Sequence, residues 1–135
     1  MKKDPFHNST VFWDTASVFV HHYLPDIRKV SPNTVIAYRD SMNFFIDYLD
    51  TQQNIKRKDI SYNDFSKDTI RSYMEWMLNV RKLSPKTCYL RITAINSFVK
   101  YSTDQYPSLM AIYVAVSSLD MVKTTRKPIE FFERK

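Results

Sequence analysis

The amino-acid sequence predicts an all-α fold, a small bundle of four to five helices. None of the 135 residues is glycine, which removes the tight hairpin turns and glycine-rich nucleotide loops of many β and α/β folds. Apolar residues recur at steps of three and four along most of the chain, as on the buried face of a helix. A pattern that starts helices, Ser-Pro-x-Thr, occurs at Ser31 and again at Ser84.

The first part of the chain predicts an arm and two helices. Residues 1–10 are polar, contain Pro5 and show no period, so we expect a flexible arm. A first amphipathic helix follows over residues 11–24, and we expect Pro25 to stop it because proline lacks the N–H that a helix needs. After a short connection with two basic residues, a second helix begins at residue 32 and ends near residue 50. Its buried stripe consists of Val35, Tyr38, Met42, Phe45 and Leu49.

A polar connection over residues 51–65 leads to the third helix. We expect this connection to contact the core through Ile60 and Phe65. Ser66 then caps a helix that extends to about residue 82. The inward positions of this helix are Ile70, Tyr73, Met74, Met77 and Leu78.

The last part of the chain predicts two helices and a basic tail. The fourth helix begins at Pro85, and a weaker fifth one fits residues 107–122. Residues 123–135 carry five basic residues and predict a linker, so the helical domain covers residues 11–122. The buried stripe of the fourth helix consists of Cys88, Ile92, Ile95 and Val99.

The two Ser-Pro-x-Thr starts indicate a surface that binds anions. The N–H groups at a helix N-terminus, with their partial positive charge, attract phosphate. A net charge of +6 suits a polyanionic partner, so nucleic acid is the first partner to consider. The candidate binding residues at the starts are Lys29, Ser31, Asn33, Thr34, Arg39, Lys82, Ser84, Lys86, Thr87 and Arg91. Those in the tail are Lys123, Arg126 and Lys127.

Several of these residues also have a purely structural interpretation. For Ser31 and Ser84, capping alone is an equally good explanation, although capping leaves other N–H groups available. Arg91 borders the apolar face of its helix and is in part structural. Most aromatic residues lie on apolar faces and belong to the core, including Tyr38, whereas Tyr89 falls on an outer face.

The sequence contains no recognisable catalytic or metal-binding set, so we predict no cofactor. The adjacent His21 and His22 point about 100° apart on a helix and cannot share one ligand. No metal-ligand spacing joins them to Cys88, which fits the core. The chain has no apolar run long enough to span a membrane and no signal peptide. Its lone cysteine fits a reducing cytoplasm.

The two similar helices resemble motifs of one protein family. The second helix follows S-x-x-T-x-x-x-Y-x-x-x-L-x-x-F-x-x-Y-L with Ser31, Thr34, Tyr38, Met42, Phe45, Tyr48 and Leu49. The fourth follows S-x-x-T-x-x-x-R-L-S-A-L-R-x-F-x-x-Y with Ser84, Thr87, Arg91, Ile92, Thr93, Ala94, Ile95, Asn96, Phe98 and Tyr101. Asn96 replaces a usual basic residue. Over residues 12–128, the chain resembles the N-terminal, SAM-like core-binding domain of tyrosine recombinases, which include phage integrases and Xer proteins.

This resemblance implies a DNA-binding domain of a protein that integrates or recombines DNA, as mobile elements do. In the family, the second and fourth helices face the double-stranded DNA of a recombination site, and other recombinase subunits bind the same DNA. A separate C-terminal domain holds the catalytic residues, so this chain is expected to cleave no DNA by itself. The alternative from the residues alone is a helical protein-interaction or oligomerisation module that does not bind DNA.

Overall fold

The computed structural model describes residues 4–119, and in this part of the chain the regular structure is helical, with no strand. The five α-helices are α1 (Ser9–Val18), α2 (Pro32–Gln53), α3 (Lys67–Asn79), α4 (Pro85–Gln105) and α5 (Met110–Ser117). A π-helical segment, Phe19–Ile27, continues α1, and short 3₁₀ turns occupy Arg57–Asp59, Tyr62–Asp64 and Pro107–Leu109. The all-α prediction is confirmed. None of the described helices is both long and apolar enough to cross a membrane.

The helix that begins with α1 passes through Pro25, so the prediction that this proline stops it was wrong. The chain instead changes to π-helical pairing over Phe19–Ile27, with Pro25 inside the segment. In a π turn each N–H reaches five residues back, as when Arg28 donates to the Tyr23 carbonyl at 2.8 Å. The wider turn relieves the clash that an α turn would create between the proline ring and the carbonyl of His21. The helix therefore ends at Ile27.

The N-terminal segment is joined to the folded core. Asn8 caps α1 by accepting a hydrogen bond from the N–H of Val11 at 3.1 Å, and α1 begins inside the segment expected to be an arm. The carbonyl of Phe6 also accepts a hydrogen bond from the N–H of Asn63 at 2.8 Å. These contacts anchor residues 6–8 to the bundle.

Three helices end with a residue in the left-handed region, although none of these residues is glycine. Their φ angles are 55° at Lys29, 59° at Asn54 and 58° at Lys82. The next N–H in each case donates six residues back, from Val30 to Leu24, from Ile55 to Leu49 and from Leu83 to Met77. This is a wider form of the Schellman end, in which the corresponding N–H donates five residues back and the left-handed residue is usually glycine. It ends α3 at Asn79, three residues before the predicted end.

The predicted apolar stripes form one aromatic-rich core. Met42, Phe45 and Leu49 of α2 are buried, as are all four predicted positions of α4, while Val35 and Tyr38 are half-buried. Ile60 and Phe65 contact the core as expected. The fully buried aromatic side chains are Phe12, Phe19, Phe45, Tyr62, Phe65, Tyr73 and Phe98.

Helices α2 and α4 pack against each other, and their aromatic contacts show that they run in opposite directions. Near the start of α2, Tyr38 contacts Phe19, which also contacts Tyr101 near the end of α4. Further along α2, the Phe44 ring lies 4.2 Å from the guanidinium carbon of Arg91, near the start of α4. The two Ser-Pro-x-Thr starts therefore lie at opposite ends of the pair, roughly 30 Å apart at 1.5 Å per residue.

Candidate nucleic-acid interface

The start of α2 is capped and open to solvent. The Ser31 hydroxyl accepts a hydrogen bond from the N–H of Thr34 at 3.2 Å, and the Ser31 carbonyl accepts one from the N–H of Val35 at 3.0 Å. Pro32 has no N–H. Within residues 4–119, the N–H of Asn33 is therefore the first-turn donor left without an acceptor. Ser31, Pro32 and Asn33 are exposed, so this donor faces water.

The start of α4 repeats this geometry almost atom for atom. The Ser84 hydroxyl accepts from the N–H of Thr87 at 3.1 Å, and the Ser84 carbonyl accepts from the N–H of Cys88 at 3.0 Å. The exposed Lys86 stands at the position of Asn33. Here the residue that holds the available N–H also supplies a positive side chain.

The structure brings the predicted residues together as two groups rather than one. Those at the start of α2 are Lys29, Ser31, Asn33 and Thr34, with Arg39 further along the helix. Those at the start of α4 are Lys82, Ser84, Lys86 and Thr87, with Arg91 further along the helix. All are exposed except Thr34, Thr87 and Arg91, which are half-buried. The predicted Lys123, Arg126 and Lys127 lie outside the described residues.

Arg91 lies against an aromatic ring, as its position beside the apolar face suggested. Its guanidinium carbon is 4.2 Å from the centroid of Phe44, and its Nε is buried without a hydrogen-bond partner among the described residues. Arg81 lies over the same ring at 5.4 Å and over Trp76 at 5.5 Å. The arginine contributes packing as well as charge at this position.

Sequence reasoning missed Arg28 and Arg81. Each precedes the lysine that ends a helix in the left-handed conformation, so the repeated pattern is Arg-Lys-(Val/Leu)-Ser-Pro-x-Thr. An overlay of the two starts extended two residues towards the N-terminus would have found both arginines. Because both arginines lie beside a helix start, they are candidates for anion binding for the same reason as Lys29 and Lys82.

The buried hydroxyl and thiol groups of the core are held in their neutral forms. Burial raises the pKa of Tyr62 to about 12, although a hydrogen bond of 2.7 Å to the Ser102 hydroxyl lowers it. Burial also raises the pKa of Tyr73 and of the Cys88 thiol. Within residues 4–119, no three His, Cys, Asp or Glu side chains come together as metal ligands. Tyr62, Tyr73 and Cys88 therefore pack in the core, and none of them is activated as a nucleophile.

The exposed histidines have separate local partners. The ring of His21 lies 3.0 Å from the carbonyl of Ser17, whereas the ring of His22 lies 3.6 Å from the carboxylate of Asp26. The adjacent rings thus serve different contacts, as the 100° step between neighbouring helix positions predicts.

Comparison with known proteins agrees with the helix pattern. Residues 20–106 match the family described as "Phage integrase, N-terminal SAM-like domain". The chain is 23% identical over 107 residues to the putative integrase/recombinase y4rC of Sinorhizobium fredii, covering 79% of this chain and 32% of the relative. It is 30% identical over 90 residues to the tyrosine recombinase XerC of Roseiflexus sp., covering 67% of this chain and 26% of the relative. No solved structure matches with comparable significance.

The family match includes the π-helical segment, α2, α3 and α4, which together hold both basic helix starts. The chain spans about a third or less of the length of these two relatives. The helical architecture, the two repeated starts and the family match agree: the chain belongs to the phage integrase family of tyrosine recombinases, as its N-terminal SAM-like domain.

Proposed function

We propose that this domain binds the double-stranded DNA of a recombination site and holds it for a catalytic domain elsewhere in the full-length protein. The observation that carries the proposal is the pair of exposed, lysine-bearing helix starts at opposite ends of α2 and α4. Their separation of roughly 30 Å is close to one turn of duplex DNA, about 34 Å. The two starts are therefore far enough apart to contact two separate backbone segments on one face of the duplex.

Most contacts in this proposal go to the DNA backbone. Lys29, Lys82 and Lys86 supply charge, and the N–H groups of the two first turns supply directed donors. Arg39 and Asn33 are the candidates for reading base edges, because their side chains are exposed and offer paired donors or a donor and an acceptor. The predicted basic tail would add further backbone contacts.

Strand cleavage is assigned to the part of the recombinase that lies outside this chain. The chain matches only 26–32% of the length of the two relatives, and its buried tyrosines are kept neutral. Other recombinase subunits on the same DNA are the expected protein partners. We place the domain in the cytoplasm, where DNA is accessible in bacteria and where a buried free thiol such as Cys88 stays reduced.

Salt dependence of DNA binding tests the proposal. Fluorescence anisotropy of a labelled 30-base-pair duplex, titrated with the domain at several salt concentrations, gives the slope of log K against log salt. If four phosphates are neutralised, the slope is roughly −3 to −4. Absence of binding at low salt, or binding that does not change with salt, would contradict the proposal.

A second candidate function is a protein-interaction module, and α5 favours it. Met110 and Val114 stand one helical turn apart and are 49% and 57% exposed, a small apolar surface on an otherwise basic domain. If this surface is the functional one, light scattering will show oligomers without DNA, Val114→Glu will dissolve them, and the anisotropy titration will show no binding. Oligomers that form only on DNA would instead fit contacts between recombinase subunits.

A further inference from the structure

Two arginines from different parts of the chain converge on one aromatic ring. Phe44 projects from α2, Arg91 from α4, and Arg81 from the connection after α3. The guanidinium carbons lie 4.2 and 5.4 Å from the ring centroid. Trp76 lies beside the ring, with the two centroids 5.7 Å apart, and contacts Arg81 from α3. Three helices therefore build this cluster, which we call the Phe44 cluster (Phe44, Trp76, Arg81 and Arg91).

The charges of the Phe44 cluster are not neutralised within the described residues. Neither Arg81 nor Arg91 has a carboxylate oxygen within 4.0 Å in residues 4–119. Arg57 provides the contrast, because it lies over Trp13 at 5.5 Å but also pairs with Asp47 at 3.3 Å. An arginine that only joins two elements of the fold can have its charge balanced, as Arg57 does. Two like charges gathered around one ring without a carboxylate favour a nearby anion.

The position of the cluster indicates which anion it suits. Lys82 follows Arg81 directly, and the open start of α4 with Lys86 lies in the same segment. The Nε of Arg91 is buried without a partner among the described residues, but the residue is only half-buried, so its terminal N–H groups are the ones that can contact a ligand at the surface. A guanidinium that lies over a ring keeps its N–H edge free, and that edge matches two phosphate oxygens.

We infer that the Phe44 cluster is a phosphate clamp, in which Arg81 and Arg91 bind the DNA backbone and Phe44 is a positioning residue for both. This inference rests on the proposed function and deepens it, because it makes the start of α4 the stronger of the two contacts. The ring limits the rotamers of both arginines before DNA arrives, so less side-chain freedom is lost on binding. Arg81 thereby joins the binding residues, and Arg91 acts both as packing and as a contact.

The test compares Arg81→Ala with Arg57→Ala in the anisotropy titration. Arg57 is the matched control, since it is also stacked on an aromatic ring but has its charge paired with Asp47. We expect Arg81→Ala to weaken DNA binding about tenfold or more, as loss of a charged hydrogen bond does, and to reduce the salt slope by about one. Arg57→Ala should stay within about twofold of the unmodified domain.

Variants of Phe44 test the positioning role. Phe44→Leu removes the ring but keeps an apolar side chain, and we expect weaker binding, whereas Phe44→Tyr keeps the ring face and should retain affinity. Thermal unfolding followed by circular dichroism identifies any variant that has lost its fold. Because Arg81 is exposed, the titration of Arg81→Ala tests the clamp even if a Phe44 variant does not fold.

Two outcomes separate this inference from the proposed function. If the unmodified domain binds DNA with the expected salt slope but Arg81→Ala behaves like Arg57→Ala, the clamp is wrong and the proposed function stands. If the unmodified domain shows no salt-dependent binding, the proposed function fails, and the clamp fails with it.

Discussion

The two junctions that precede α2 and α4 have the same backbone but different surroundings. Both read Arg-Lys-(Val/Leu)-Ser-Pro-x-Thr, with a left-handed lysine and a capping serine. Before α4, Arg81 lies over aromatic rings. Before α2, Arg28 lines a crevice with Lys100 and Asp104, which places one carboxylate among two basic side chains. The comparison teaches that the shared backbone makes a helix start, whereas the neighbouring helices determine how much charge it presents.

The largest expected effect comes from removing both basic residues of one junction. Arg81→Ala/Lys82→Ala should weaken binding of a duplex about 100-fold, because two charge-assisted contacts are lost. The equivalent pair, Arg28→Ala/Lys29→Ala, should weaken it about tenfold, since Asp104 lines the same crevice as Arg28. Anisotropy titrations at one salt concentration measure both. Equal losses would show that the surroundings of the junctions do not matter.

The next effect concerns the two buried tyrosines near the ends of the helix pair. Tyr62 donates to or accepts from Ser102, near the end of α4, at 2.7 Å, whereas the hydroxyl of Tyr73, near the start of α4, has no partner among the described residues. Burial raises the pKa of Tyr62 to about 12, above its value in the unfolded chain. Its contribution to stability is therefore complete below pH 10 and is lost as the pH rises towards 12.

At pH 11 this loss amounts to roughly 1 kcal/mol for Tyr62. The measurement is the free energy of unfolding in urea at pH 9 and pH 11. Tyr62→Phe has no hydroxyl to titrate, so its stability should fall less between these two pH values than that of the unmodified domain. At pH 7, Tyr73→Phe should be neutral or stabilising, because it removes a buried hydroxyl that has no partner. An unchanged pH dependence in Tyr62→Phe would argue against the role of this residue.

Substitution of either capping serine should lower stability by the same amount, whereas substitutions in the two junctions should weaken DNA binding by different amounts. Ser31→Ala and Ser84→Ala each remove an acceptor for a first-turn N–H, at 3.2 and 3.1 Å. Each should lower the free energy of unfolding by about 1 kcal/mol. Urea unfolding at pH 7 is the measurement, and Ser66→Ala, at the cap of α3, is the control. A marked difference between Ser31 and Ser84 would show that the two starts are not equivalent in energy.

The smallest effect has the opposite sign. Glycine adopts a left-handed φ more easily than lysine does, so Lys29→Gly and Lys82→Gly should each raise the free energy of unfolding by about 0.5–1 kcal/mol. Asn54→Gly should give a smaller increase in the free energy of unfolding, because asparagine tolerates this conformation. Under the proposed function, Lys82→Gly also weakens DNA binding. Improved stability with undiminished affinity would remove Lys82 from the interface.

The sequence predicted the elements whose signals are local. The stripe of Met42, Phe45 and Leu49 and the caps at Ser31 and Ser84 follow from neighbours three or four residues away, and the structure contains them as expected. These signals were sufficient for the fold class and for the position of both helix starts.

The features that the sequence did not predict depend on contacts between distant residues or on unusual backbone. The passage of the first helix through Pro25 requires π-helical pairing, for which no side-chain pattern is diagnostic. The end of α3 depends on a lysine in a conformation that usually belongs to glycine. The stacking of Arg91 on Phe44 joins residues almost 50 positions apart, so helical periodicity within either segment contains no information about it.

The opposite directions of α2 and α4 have a consequence for symmetry. Two helices that start alike and run antiparallel are related by an approximate two-fold axis, and the two strands of a DNA duplex are related by such axes as well. If the two axes coincide, each junction meets the same backbone position on a different strand. Hydroxyl-radical footprinting would then show one protected patch on each strand, placed symmetrically about the centre of the bound site, with the patch under α4 protected more strongly.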